Sequence, residues 1–404
     1  MRTGFMSKIR PNTHYFISGA LAVAMIPLFK FAHLSFSINW QRLILVYWVG
    51  LALRAVLAAL MLALIGLPAT ITVKPLWSHF WDQKPRLLFF AAFAVWALWK
   101  FGPHVGLILI FIAVLLAESI DRSQGNLHTI GKSIGSVITP AGYFFVGLIL
   151  VFAYNDVITA VKNPGGYDWL FLKIDSYILN GDTISNLAHA ASSKLPAGVL
   201  RFSETVYYGM FDQIGAAILI ISLCHGTRQA LRFIGTLLTA YYLALLLFYI
   251  WPSMGPYYTC PDHFARFPHW LITYTTQTAE LLKAKLVSSA NGGVIRIDTD
   301  YFIAFPCLHL AQPLIVLWFM RRWKRIVLCL VVYDILLIPA ILLLEWHYII
   351  DLVGGAVVAV IAILLNHSRE TSTAQQSSFP EGSADTKAQE SVSVVIDNSP
   401  VSAP

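Results

Sequence analysis

The chain has 404 residues, of which 57% are hydrophobic and 12% charged, with a formal net charge of +7 and a mean hydropathy of +0.67. Soluble globular domains carry about 25% charged residues, so this composition excludes an ordinary water-soluble globule. The basic residues sit in short runs between apolar segments, which reads as a topology signal rather than a nucleic-acid footprint.

Ten apolar windows follow one another, near 12–32, 41–67, 87–99, 103–119, 133–154, 204–224, 233–251, 303–320, 325–344 and 348–366. A bilayer core of about 30 Å asks for about 20 helical residues, so the expectation is an all-α polytopic membrane protein with about ten transmembrane helices. The basic N-terminus, MRTGFMSKIRPNTHYF, runs into the first window with no clear small-residue cleavage site. That window is therefore read as a first span and not as a removed signal peptide. The pair near 87–119 is interrupted only around WKFGPH, and one kinked crossing or two separate ones both fit.

Charge bias sets the direction. Lys8 and Arg10, then Lys74, Lys84 and Arg86, then Arg228 and Arg232, then Arg321, Arg322, Lys324 and Arg325, and finally Arg369 fall in alternate connections. The positive-inside rule assigns these, and both termini, to the cytoplasmic face. The opposite face (periplasmic, lumenal or extracellular) receives the segments 155–203, 252–302 and 345–347. From Ser368 to Pro404 the chain turns to Ser, Thr, Gln, Glu and Pro, the composition of a disordered tail.

Of the four cysteines, Cys224 and Cys329 lie in or beside apolar windows and read as small hydrophobes. Cys260 and Cys307 share one predicted face, where a disulfide and two free thiols both remain open. No spacing matches a zinc or iron–sulfur motif.

Three polar features gather on the non-cytoplasmic side: WPSMGPYY (Trp251–Tyr258), FPCLHLAQP with His309, and EWHYIIDLVGG with Glu345, His347 and Asp351. Asp351 follows His347 by four residues, which puts both side chains on one helix face. An Asp beside a His orients the ring and supports a positive imidazolium. Ionisable residues are costly in the membrane, so their recurrence at helix ends points to function. The plainer alternative places His347 and His309 among interfacial aromatic residues. A metal reading of His309, His347 and Asp351 uses ligand types that suit zinc or iron. A proton-relaying lipid transporter is a further alternative, although the halves show no inverted repeat.

On IDSYILNG (174–181), WPSMGPYY, FPCLH (305–309) and HYIIDLVGG (347–355), the chain resembles the membrane-bound type 2 phosphatidic acid phosphatase superfamily, in particular its inositol-phosphorylceramide-synthase-like branch. The resemblance implies a six-helix phosphatase/phosphotransferase-like catalytic core over 133–367, an added N-terminal transmembrane region of about four helices over 1–132, and a tail over 368–404. It implies that His347 attacks a lipid phosphate, that Asp351 orients His347, and that His309 protonates the leaving group. The expected activity is transfer of a phosphoryl-linked head group from a phospholipid donor to a lipid alcohol through a phosphohistidine. A lipid or polyprenyl-phosphate phosphatase is the alternative. No cofactor or metal is required by that chemistry, and the partners are lipids and the bilayer, with no nucleic acid.

The superfamily's phosphatases carry a Lys and Arg-Pro motif before the middle histidine and an Arg before the last one. Here Pro252, Ser253 and Pro256 stand at the first place, Ile341 at the second, and Cys307 replaces a more usual serine. The phosphate must then be held otherwise. Arg201, Ser253, Tyr257, Asp175 and Glu345 are the candidate substrate-binding residues, with Lys173, Arg266, Lys283, Lys285 and Arg296 as further basic groups on the same side.

Overall fold

The structure is a computed structural model and describes residues 36–38, 127–162, 165–260, 295–297 and 303–377. Its elements run β1 (Phe36–Ile38), α1 (Leu127–Val161), α2 (Asp168–Ile178), α3 (Ile184–Ser192), α4 (Ala197–Ile250), α5 (Pro256–Thr259), β2 (Ile295–Ile297), α6 (Leu308–Met320), α7 (Lys324–Leu343) and α8 (Ile349–Ser377). The parallel pairing of β1 with β2, Phe36 opposite Ile295, is the only strand pairing among the described residues. The architecture is otherwise all-α.

Four helices among the described residues are long and apolar enough to cross a membrane, over Val137–Thr159, Ala197–Ile250, Lys324–Leu343 and Ile349–Asn366, while Leu308–Met320 is apolar but shorter. The expected count of about ten is corrected accordingly, for three reasons. The first four windows lie outside the described residues. The windows at 204–224 and 233–251 share the single 54-residue element α4, which is broken at Gly226. Helix α6 has only 13 residues, about 20 Å of rise, because residues 303–307 run non-helically into it.

Helix α4 is 54 residues long. Straight, it would reach about 80 Å, far beyond the bilayer core. It breaks at Gly226, whose backbone is non-helical at φ 78°, a conformation that glycine adopts without steric cost. Two helices therefore meet at that residue, as the two expected windows require.

Helix α4 packs against α1, α6 and α7. The shared core includes Val151, Met210, Phe233, Tyr241, Ile315 and Ile341, all buried. The outward faces are apolar too. Leu328, Val332 and Ile335 on α7, and Val353, Val357, Val360 and Leu364 on α8, are exposed at helical spacing. Contiguous apolar surface of this kind is a liability in water and is matched by lipid. The chain is an integral, multi-pass membrane protein.

The segment 155–203, expected as a connection on the non-cytoplasmic face, holds α2 and α3 between the end of α1 and the start of α4. Asp168, Phe171 and Asp175 are buried while Trp169, Tyr177 and Ile178 are exposed, the i, i+3, i+7 pattern of one inward helix face. Helix α2 ends where Asn180 (φ 54°) and Gly181 (φ 100°) turn left-handed, and the Gly181 N–H closes on the Ser176 carbonyl at 2.7 Å. Thr183 then caps α3 by accepting from the Asn186 N–H. The IDSYILNG motif thus encodes a helix, its stop and the approach to the next helix.

By its contacts the chain divides into Met1–Ile363 and Leu364–Pro404. Helix α8 runs on to Ser377. Residues 378–404 lie outside the described residues, as do Arg266, Lys283 and Lys285. The side chain of Arg296 is likewise not described. All four cysteines are free, which settles the open question of a Cys260–Cys307 disulfide in the negative.

Candidate active site

His347 sits in the short connection between α7 and α8. His309 lies in the first turn of α6, and the Phe305–Pro306 peptide just before it is cis. The close approach of these segments is set by small residues. A Cβ on Gly355 would strike the Cys307 carbonyl, and one on Gly354 would strike the Phe305 ring. The backbone seals the contact, since the Cys307 N–H donates to the Asp351 carbonyl at 2.9 Å.

His347 is 2% exposed. Its Nδ1 lies 2.8 Å from the Ala304 carbonyl and 3.4 Å from Asp351 Oδ2. A carbonyl can only accept, so Nδ1 carries the proton and Nε2 is the nitrogen left to react. That Nε2 lies 3.3 Å from His309 Nδ1. The Asp351 carboxylate also accepts from the Tyr348 N–H at 2.8 Å. The expected pairing of His347 with Asp351 is therefore present as a longer contact, and the shorter one goes to Ala304, a backbone partner that carries no side-chain signature. Burial alone would lower the His347 pKa; Cys307 and Asp351 outweigh it and raise it to about 10.

His309 has a second neighbour that the sequence did not disclose. The Tyr207 ring stacks on it at 4.1 Å, and the Tyr207 hydroxyl lies 3.3 Å from Nδ1. Tyr207 also stacks against Trp346, which in turn stacks on Tyr257. Four near-parallel rings thus run from the Tyr257 turn to His309. Cys307, His309 and His347 offer one sulfur and two ring nitrogens within 4.8 Å of one another.

Carboxylates hold the frame. Asp168 accepts from Ser253 Oγ at 2.6 Å and from the Met254 and Gly255 N–H groups at 3.1 Å each. Burial raises its pKa above the ordinary carboxylate range, against the pull of those three donors. Asp175 accepts from the Ile349 N–H at 3.1 Å and so caps α8. Burial raises its pKa to about 6. Phe171, between them on α2, packs on Phe305 and Tyr348 at 5.0 and 5.9 Å. One short helix therefore grips both histidine-bearing segments and the SMGP turn.

The expected substrate-binding residues fare differently. The Ser253 hydroxyl donates to Asp168. Asp175 serves the α8 N-terminus. Glu345 is buried in a left-handed conformation (φ 56°), accepts from Ser185 Oγ at 2.5 Å, and receives the Tyr257 N–H on its carbonyl. Tyr257 is buried within the ring stack. Arg201 is exposed near the start of α4, and Lys173 is exposed on α2. Asp168, Tyr207 and Ala304 were the partners that sequence reasoning missed. The one available signal was Asp168 itself, a charge on the inward face of a short amphipathic helix.

Residues 185–365 match the PAP2 superfamily. The match spans α3 to the membrane-crossing part of α8 and contains both histidines, Cys307 and Asp351; it does not single out a branch. No curated protein and no solved structure matches the chain. A PAP2-like segment carrying this His/Cys/His cluster supports an enzyme of the membrane phosphatase or phosphotransferase type.

Proposed function

We propose that the chain breaks a phosphate ester of a membrane lipid, with His347 as nucleophile and His309 as acid and then base. The observation that carries this reading is the 3.3 Å approach of His347 Nε2 to His309 Nδ1, with His347 Nδ1 tied to the Ala304 carbonyl, inside the PAP2-like segment. A proton on Nε2 must leave before that nitrogen can attack, and His309 Nδ1, 3.3 Å away, is the group placed to receive it. When that proton passes to His309, His347 gains a free lone pair and His309 becomes the acid, in one transfer.

His347 Nε2 then forms a bond to phosphorus while the bond from phosphorus to the leaving oxygen breaks, and the His309 proton goes to that oxygen. In the second half an acceptor hydroxyl gives its proton to His309, its oxygen bonds to phosphorus, and the nitrogen–phosphorus bond breaks. Asp351 and the Ala304 carbonyl keep the ring aimed throughout. The phosphorus needs the space between the two imidazoles, so substrate binding parts them.

With water as acceptor the protein is a lipid or polyprenyl-phosphate phosphatase, the reading the superfamily match supports most directly. A second reading is transfer of a phosphoryl-linked head group to a lipid alcohol, as in inositol-phosphorylceramide synthases. The burial of His347 and the aromatic stack beside His309 favour it, because both keep water from the intermediate. The site then faces the non-cytoplasmic side, as charge bias predicts.

The test is direct. Purified protein is given labelled polyprenyl phosphate, phosphatidate and phospholipids, with and without lipid alcohols, and every product is identified by mass. Free phosphate without an acceptor requirement establishes the phosphatase. A new lipid formed only with the alcohol establishes the transferase. Full turnover by His347→Ala would sink both.

A further inference from the structure

Two unprotonated imidazole nitrogens that face each other repel unless something positive lies between them, and a proton is one solution. The geometry here fits another. In tetrahedral zinc sites the Zn–N distance is about 2.0–2.1 Å, which puts two ligand nitrogens about 3.3–3.4 Å apart. His347 Nε2 and His309 Nδ1 are 3.3 Å apart. A sulfur ligand at about 2.3 Å stands about 3.6 Å from each nitrogen, and the Cys307 sulfur lies within 4.8 Å of a ring nitrogen of each histidine. Closing by at most about 1.2 Å would complete the triangle.

The surroundings are those of a metal-binding histidine. Such a ring donates its second N–H to a carbonyl or carboxylate, which fixes the tautomer and frees the other nitrogen. His347 Nδ1 does so toward Ala304 O, with Asp351 Oδ2 at 3.4 Å. Asp351 is thus on the wrong side of the ring to be a ligand, and Cys307 takes that place. The Cys307 N–H to Asp351 carbonyl bond holds the thiol-bearing and His347-bearing segments in fixed relation. One thiol and two imidazoles select soft or borderline cations such as Zn²⁺ over Mg²⁺ or Ca²⁺, and three protein ligands leave a fourth position open.

We infer that Cys307, His309 and His347 form a zinc-binding site whose occupancy inhibits the enzyme. The inhibitory half rests on the function proposed above, because the metal would engage the lone pair on Nε2 that must attack phosphorus. The binding half stands on geometry alone.

Two measurements on the full-length chain decide it. First, chelator-treated protein in detergent is titrated with Co²⁺ alone. A thiolate-to-cobalt charge-transfer band is expected in wild type and in a variant lacking Cys224, Cys260 and Cys329, and is expected to vanish in Cys307→Ser. No band in wild type, or a band that survives Cys307→Ser, overturns the site. Second, Zn²⁺ is titrated against lipid turnover, each protein normalised to its own chelated rate. The half-inhibitory concentration is expected to rise at least about tenfold in Cys307→Ser. Equal sensitivity, or a chelated enzyme that zinc revives, overturns the inhibitory role. If no lipid is turned over under any condition, the proposed function fails, and the cobalt spectrum still decides the metal site.

Discussion

The two ends of the helical core use their charges in opposite ways. At the end where α4 breaks and α6 passes to α7, Arg228, Arg321, Arg322, Lys324 and Arg325 are exposed. There Arg321 lies over the Trp318 ring at 4.1 Å, and His225 stacks on the buried Trp323 at 4.9 Å. At the other end Asp168, Asp175, Glu345 and Asp351 are all buried, each accepting hydrogen bonds within the fold. Exposed cations declare an orientation to the membrane and need no particular neighbour. Buried carboxylates must find donors, and the donors they find are the backbone and hydroxyl groups of the segments that carry the histidines. Charge at one end is a topological label, and at the other it is construction.

The sharpest way to break this contrast is to remove a histidine. His347→Ala or His309→Ala should lower lipid turnover about 10³-fold, with the folded state preserved by size-exclusion profile and thermal unfolding. Next comes the frame. Gly355→Ala drives a Cβ into the Cys307 carbonyl and should displace α6 from α8, lowering turnover roughly 10–100-fold, read by kcat/KM on the same substrate. Asp168→Ala leaves Ser253, Met254 and Gly255 without their shared acceptor and should cost about 3 kcal/mol or more, seen as a lower unfolding midpoint in detergent. Asp168→Asn, which keeps one acceptor oxygen, should lose less.

The pH dependence is a finer probe. The Asp175 pKa in the folded state is about 6, raised from its usual value chiefly by burial. Between about pH 4 and 6 the folded state therefore holds more protons than the unfolded one, and this group makes stability fall as pH rises through that window, levelling above it. Asp175→Asn should flatten that part of the curve, measured by unfolding at pH 4 to 7. The smallest effect belongs to the other end. Arg321→Ala or Arg322→Ala should change stability by no more than about 0.5 kcal/mol and leave turnover within about twofold. A large loss there would erase the distinction between the ends.

The sequence discloses the parts of this molecule that depend on local pattern. Apolar windows foretell α1, both halves of α4, α7 and α8, because lipid selects for length and hydropathy. The placing of His309 at the start of its helix is also a local fact, whereas His347, expected on one helix face with Asp351, lies in the connection just before α8. What stays hidden is who meets whom. His347 is held by Ala304 across 43 positions and His309 by Tyr207 across 102. Asp168 reaches the SMGP turn across 85 to 87. Ser253 illustrates the limit. A hydroxyl beside a proline-rich turn reads as a ligand for phosphate, and only the fold shows that it donates to an aspartate. A backbone carbonyl, such as that of Ala304, leaves no trace in residue identity at all.

Asp175 and the Ile349 N–H that it caps are separated by 174 positions. At about 5–20 residues per second of synthesis, roughly ten to thirty-five seconds pass between the two leaving the ribosome. Through that interval the carboxylate is made but its partner is not, and α2 has only part of what will hold it in place. The catalytic end is therefore the last part of the protein that can close during birth. A chain stopped short of Ile349 would leave the Asp175 carboxylate without the backbone donor it meets in the fold.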